Sequence, residues 1–239
     1  MAAITAASVK ELRERTGAGM MDCKKALTET NGDMEAAIDL MRTSGAAKAA
    51  KKSGRIAAEG LVKVNISDDG KTATILEVNS ETDFVTKGDA FIGFVDALGA
   101  LALKTTPVNI DEFLTQTLDN GDSLEKSRED IIAKVGENIA IRRVQTVTVS
   151  GNGIIGAYKH GERIAVLAIL EGGDEALAKD IAMHVAATRP ECVTEDELSA
   201  DLLEREKAIF VEQARESGKP DNIIEKMIVG RMKKFVNEV

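Results

Sequence analysis

The chain has 239 residues, 44% of them apolar and 30% charged, which fits a soluble globular protein of one or two domains with ample length for a core. Its formal net charge of -9 disfavours a general nucleic-acid binder, while a local basic patch stays open. Its two cysteines, Cys23 and Cys192, and two histidines, His160 and His184, suggest neither a disulfide framework nor a zinc site. A reducing, cytoplasmic setting follows, with no metal and no cofactor expected. No run approaches the ~18 apolar residues of a membrane helix, and the N-terminus lacks the basic-then-apolar order of a secretory signal.

Residues 1–55 read as three short helices followed by a basic linker. Ser8 and Glu11 have the spacing of a capping box, which predicts Ser8 as the first helix's N-cap. Gly17-Ala18-Gly19 ends that helix, because glycine permits non-helical backbone. Met20, Met21, Lys24, Lys25, Ala26 and Leu27 make the second helix, which ends at Asn31-Gly32. Asp33 caps the third, whose apolar face is Met34, Ala37, Ile38 and Met41, and Ser44-Gly45 closes it. One of Met20 and Met21 is expected in the core and the other free to face a partner. The Ala-rich run from Ala46 to Arg55 carries Lys48, Lys51, Lys52 and Arg55 and reads as a helical or partly helical linker. Its charges form a solvated face or, as the alternative, a phosphate contact.

Residues 56–150 predict an α+β unit. Leu61 to Ile66 alternates, Asp68-Asp69-Gly70 is a hairpin turn, and Thr72 to Asn79 returns. Phe91, Phe94, Val95, Leu98, Leu101 and Ala102 then recur at helical spacing. Short helices are expected over Asp111–Leu118 and Ser123–Val135, and a strand over Ile139–Val149. Residues 151–190 repeat the strand-turn-strand-helix order: Ile154–Lys159, Arg163–Leu170 and Glu175–Thr188, stopped before Pro190. Residues 191–239 predict an antiparallel helical hairpin. Leu202, Ile209 and Phe210 lie on one helix and Ile224, Met227, Ile228, Arg231 and Phe235 on the other, with Ser217-Gly218-Lys219-Pro220 between them. The fold class is therefore α+β: a helical module, two α+β subdomains with antiparallel sheets, and a helical hairpin.

Two motifs suggest chemistry and fail on context. Gly151-Asn152-Gly153-Ile154-Ile155-Gly156 matches GxGxxG, but a strand and turn follow where dinucleotide binding needs a helix. Cys23 or Cys192 with a histidine lacks any local nucleophile signature, and His184 reads as a packed core histidine beside Ile181 and Val185. The strand-to-helix turn after Val78, Asn79-Ser80-Glu81-Thr82-Asp83-Phe84-Val85, is different. In a chain with 3% aromatics, Phe84 either tucks under its own loop or projects as an anchor for a partner's pocket.

Lys10-Glu11-Leu12-Arg13-Glu14-Arg15-Thr16-Gly17-Ala18-Gly19-Met20-Met21-Asp22-Cys23-Lys24-Lys25-Ala26-Leu27 resembles the N-terminal signature of the bacterial elongation factor Ts family. Glu77 to Val85 resembles the family's second signature, and His184-Val185-Ala186-Ala187 and Gly230-Arg231-Met232-Lys233-Lys234-Phe235 are similar to further family segments. The resemblance covers essentially the whole chain in matching order. It implies a guanine-nucleotide exchange factor for elongation factor Tu, with an N-terminal module of ubiquitin-associated type, a two-subdomain core and a coiled-coil hairpin. It implies that Asp83 and Phe84, flanked by Thr82 and Val85, enter the partner's G domain and disturb its magnesium site. The N-terminal module, with Leu12, Met20 and Met21, resembles the part that grips the same domain. The second subdomain resembles the part that meets the partner's third domain. The hairpin resembles one that self-associates in some members. No direct nucleotide, nucleic-acid or membrane binding is implied, and no covalent chemistry.

Long members continue beyond the position of Val239 with a strand-containing segment that completes the second subdomain. Two rival readings are a pure adaptor that leaves nucleotide release unchanged, and an enzyme using Cys23 or Cys192. A third is a host factor recruited with its partner into a larger assembly.

Overall fold

A computed structural model describes residues 4–216, 218 and 220–239, with all their side chains except those of residues 46–48 and 50. The chain divides into two units, Met1–Met183 and His184–Val239. Helices and small antiparallel sheets are mixed, as the α+β expectation requires.

The first unit opens with α1 (Ala6–Thr16), α2 (Met20–Glu29) and α3 (Met34–Lys52). The N-cap of α1 is Thr5 rather than Ser8. Thr5 Oγ1 accepts the N–H of Ser8 at 3.1 Å, and Ser8 Oγ accepts the N–H of Thr5 at 3.2 Å. Ser8 thus fills the back-reaching role expected of Glu11, one turn into the helix. Gly17, at φ 70°, ends α1 in the left-handed conformation. Asp33 caps α3 as expected, accepting the N–H of Ala36 at 3.0 Å.

The expected stop at Ser44-Gly45 does not occur. The helix runs on to Lys52 and absorbs most of the basic segment. Gly45 is buried, and a Cβ there would lie 3.8 Å from the Cβ of Ala133 on a later helix packed along α3. Close helix packing therefore uses the glycine and overrides its weak helix propensity. The side chain of Lys48 lies outside the described ones.

Strands β1 (Glu59–Ile66), β2 (Thr72–Ser80) and β3 (Ala140–Thr148) form an antiparallel sheet with β2 in the middle. The β1–β2 turn is held by Asp69, whose carboxylate accepts from Ser67 Oγ at 2.6 Å and from the N–H of Lys71 at 2.9 Å. Between β2 and β3 come α4 (Asp83–Thr86), α5 (Asp89–Thr105), α6 (Ile110–Leu114) and α7 (Leu124–Val135). Helix α6 is shorter than expected, because the backbone turns back and the N–H of Leu118 bonds to the carbonyl of Asp122 at 2.9 Å. Phe91, Leu98, Phe113, Leu124 and Ile132 pack with Leu76 and Val78 of β2 into the main core.

β4 (Gly153–His160) and β5 (Ile164–Glu171) form a two-stranded hairpin, followed by α8 (Glu175–Thr188), which crosses the division between the units. Gly156 sits mid-strand, where a Cβ would lie 2.2 Å from the backbone of Ala178. That glycine serves strand–helix contact, and no helix opens after it. His184 is exposed, not packed in a core. The packed residues of α8 are the small Ala178 and Ala182, and His184, two residues past Ala182, falls about 200° away around the helix.

In the second unit, α9 (Ala200–Arg215) is capped by Ser199 and α10 (Asp221–Glu238) follows Pro220. Ser217 and Lys219 of the expected turn lie outside the described residues. The helices are antiparallel: Gln213 accepts from Arg231 at 2.9 Å, and Phe210 meets Phe235 edge-on, with ring centroids 6.4 Å apart. Ala214 and Ile224 are buried. Ile209, expected on the stripe, is exposed. It lies one position, or about 100°, from Phe210.

Candidate functional site

β2 is buried along most of its length and delivers the backbone to Ser80, which has no exposed surface. Ser80 Oγ donates to the carbonyl of Thr82 at 3.0 Å and folds the chain over. Two carboxylates then brace the turn. Glu81 Oε1 accepts the N–H of Asn138 at 2.7 Å. Glu137 accepts twice from Thr82, from the N–H at 2.9 Å and from Oγ1 at 2.6 Å. Each segment thus donates a backbone N–H to a carboxylate on the other. Charge-assisted bonds of this kind are roughly twice as strong as neutral ones. Thr82 is the N-cap residue of α4, yet its hydroxyl does not cap the helix, being committed to Glu137.

The single turn of α4 is closed by Thr86 Oγ1, which donates to the carbonyl of Asp83 at 2.8 Å. It leads into Gly88, whose N–H meets the carbonyl of Val85 at 3.0 Å. Val85 is half-buried against the main core and Thr86 is buried. Phe84, between Asp83 and Val85, is 82% exposed. The inward reading of Phe84 is therefore set aside: Val85 takes the inward place. Of the six phenylalanines, Phe91, Phe94 and Phe113 are buried and Phe210 and Phe235 half-buried, so Phe84 alone is exposed. Leaving such a side chain in water forgoes about 1.5–3 kcal/mol of burial.

Asp83 Oδ2 accepts from Lys87 Nζ at 2.6 Å. That hydrogen bond, with the attraction of the same ammonium, holds the Asp83 carboxyl below its usual range. Further back on β2, Glu77 is nearly buried between Arg142 and Arg143, at 2.9 and 2.6 Å. Burial pushes its carboxyl up, but hydrogen bonds from Asn79, Arg143 and Arg142 outweigh that, so it lies below the ordinary glutamate value.

In the N-terminal module, Met20 and Met21 open α2 directly after the N-cap Gly19. They are 44% and 76% exposed, so neither fills the core as expected of one of them. Cys23, Ala26 and Leu27 take the inward positions instead. Leu12 has no exposed surface and packs with Val9, Cys23 and Leu27. Buried there, it shapes the module from inside. Glu137 and Asn138 were not singled out from the sequence. They lie 55 and 57 positions from their partners, and no spacing rule links residues so far apart.

Among the described residues, no group of three or more His, Cys, Asp or Glu side chains could hold a metal ion, and no helix is long and apolar enough to cross a membrane. Fold and site first define a class: an α+β protein that holds one aromatic outward on a braced turn. The family model described as Elongation factor TS matches residues 81–239. Elongation factor Ts of Ruthia magnifica subsp. Calyptogena magnifica is 82% identical over 236 residues, covering 99% of this chain and 79% of that protein. Elongation factor Ts of Vesicomyosocius okutanii subsp. Calyptogena okutanii is 73% identical over 236 residues, covering 99% of this chain and 81% of its own length. That of Legionella pneumophila strain Lens is 52% identical over 239 residues, 100% and 81% of the two lengths. The chain belongs to the elongation factor Ts family.

Proposed function

We propose that this chain is a guanine-nucleotide exchange factor for elongation factor Tu in the cytoplasm, acting by contact alone. The observation that carries the proposal is Phe84, 82% exposed on a turn whose backbone is held by Glu137. A GTPase retains its nucleotide through a phosphate loop and a magnesium ion that neutralises phosphate charge. An exchange factor must bind the nucleotide-free partner better than the loaded one, and by linkage the nucleotide then weakens the exchange factor equally. An aromatic wedge entering the partner's G domain meets that requirement. A tenfold weakening of nucleotide needs about 1.4 kcal/mol, and a buried aromatic anchor commonly supplies ~2 kcal/mol or more. Phe84 is the wedge. Thr82 and Val85 fix it, and Asp83 brings a carboxylate, paired with Lys87 in the free chain, to the edge of the magnesium site.

The N-terminal helices form a module of ubiquitin-associated type that grips the same domain through Met20 and Met21, whose exposure supports that role. Residues 56–150 and 151–190 act as the two core subdomains, and the α9–α10 pair as a coiled-coil hairpin capable of self-association. Exposed apolar side chains on that pair, Ile209, Ile223 and Val229, support the last assignment.

The test loads elongation factor Tu with a fluorescent GDP analogue and adds catalytic amounts of this chain with excess GDP. Release faster by orders of magnitude is expected. Binding without faster release would replace the reading with that of an adaptor.

A further inference from the structure

The link between α7 and β3 is four residues long, Gly136 to Ile139, and its first three residues all bond to distant parts of the first unit. The carbonyl of Gly136 accepts from Lys52 Nζ, at the end of α3, at 2.7 Å. Glu137 holds Thr82 through two bonds. Asn138, 5% exposed, donates its N–H to Glu81 and its side-chain amide to the carbonyl of Arg55 at 2.8 Å. One short link therefore joins the exit of the N-terminal module to the turn that carries Phe84.

Phe84 is too exposed for packing to hold its direction, so the backbone on either side must do so. On the C-terminal side Val85 and Thr86 anchor into the core. On the N-terminal side the anchor is Thr82, and its partner is Glu137. A contact group that is already oriented loses less conformational freedom on binding. A supporting shell left loose leaves the site present but misplaced.

We propose that Glu137 is a positioning residue for exchange: by holding Thr82 it sets the direction in which Phe84 projects, and Asn138 ties that setting to the N-terminal module. The inference rests on the exchange function proposed above. Glu137 acts through Phe84 and not by touching the nucleotide site.

The experiment is a double-mutant cycle on the full chain, with Phe84→Ala, Glu137→Ala and the double variant. It follows release of fluorescent GDP from elongation factor Tu across a range of exchange-factor concentrations. Glu137→Ala removes two charge-assisted bonds and is expected to lower the maximal release rate about tenfold. The half-saturating concentration should move less than about twofold, since the module's own contact surface is untouched. The double variant should be no slower than Phe84→Ala, because two residues acting through one group are not additive. Glu137→Gln keeps an acceptor for one of the two Thr82 donors and should fall between. If Glu137→Ala proves unfolded by thermal melt, Glu137→Gln and Thr82→Val carry the same cycle. A wild-type rate for folded Glu137 variants, beside a slow Phe84→Ala, overturns the positioning role alone. A double variant slower than Phe84→Ala by the full factor also overturns it, since Glu137 would then act elsewhere. A wild-type rate for Phe84→Ala overturns the wedge, and this inference with it.

Discussion

Phe84 and Val85 are neighbours in sequence with opposite fates: Val85 packs against the main core, and Phe84 stands 82% exposed. One residue step along a helix separates their directions by about 100°, so fixing one inward turns the other out. The prediction for Phe84→Ala follows. Stability should change by no more than ~0.5 kcal/mol, as for surface positions generally. Exchange on elongation factor Tu should fall at least tenfold, by the loss of about 2 kcal/mol or more from an aromatic anchor. A thermal melt and the fluorescent GDP assay, run on the same preparation, check both halves.

In the N-terminal module, Leu12 and Met21 should separate folding from contact. Leu12→Ala opens a cavity inside three small helices and should cost about 2–5 kcal/mol, seen as early loss of helical signal in denaturant. Met21→Ala should leave stability within ~0.5 kcal/mol of wild type and weaken partner binding in calorimetry. The reverse pattern would assign the two side chains the other way round.

Gly156→Ala should destabilise the β4–β5 and α8 region by about 1–3 kcal/mol, because a methyl group there meets backbone that cannot step aside. Urea unfolding reads the change directly. A neutral outcome would mean that α8 can slide on the strand.

The Glu77 carboxyl, held below the ordinary glutamate value, predicts a particular pH dependence. A carboxyl whose pKa is lower folded than unfolded adds stability above the unfolded value, and that stability is lost as pH falls through the folded one. The stability gap between wild type and Glu77→Gln should therefore be full near neutral pH. It should close as the solution is acidified below the glutamate range. Denaturation midpoints across that range test it, and a gap independent of pH would remove Glu77 from the account.

Periodicity and turn chemistry carried most of the elements. Alternation around Asp68-Asp69-Gly70 marked the β1–β2 hairpin, and the run from Phe91 to Ala102 marked α5. Where the reading failed, the reason differed from place to place. Gly45 looked like a helix stop because its burial beside Ala133 is not a local property. Ser8 looked like an N-cap because Thr5, three residues earlier, competes for the same role. His184 looked packed because its apolar neighbours suggested a buried face, whereas the helix packs through alanines. The Phe84 turn was legible as a candidate and undecided in direction. Its direction depends on Val85 and on Glu137, and the latter arrives only after the whole of α4 to α7.

That late arrival shapes how the protein emerges from the ribosome. The middle strand, β2, ends at Ser80, and its second neighbour, β3, begins at Ala140. At about 5–20 residues per second, the intervening helices keep one edge of β2 without its partner for several seconds of synthesis. The N-terminal three-helix module, already complete by then, can fold ahead of the sheet. The turn bearing Phe84 cannot take its final form until Glu137 has left the exit tunnel, so the contact surface it carries matures well after the N-terminal module.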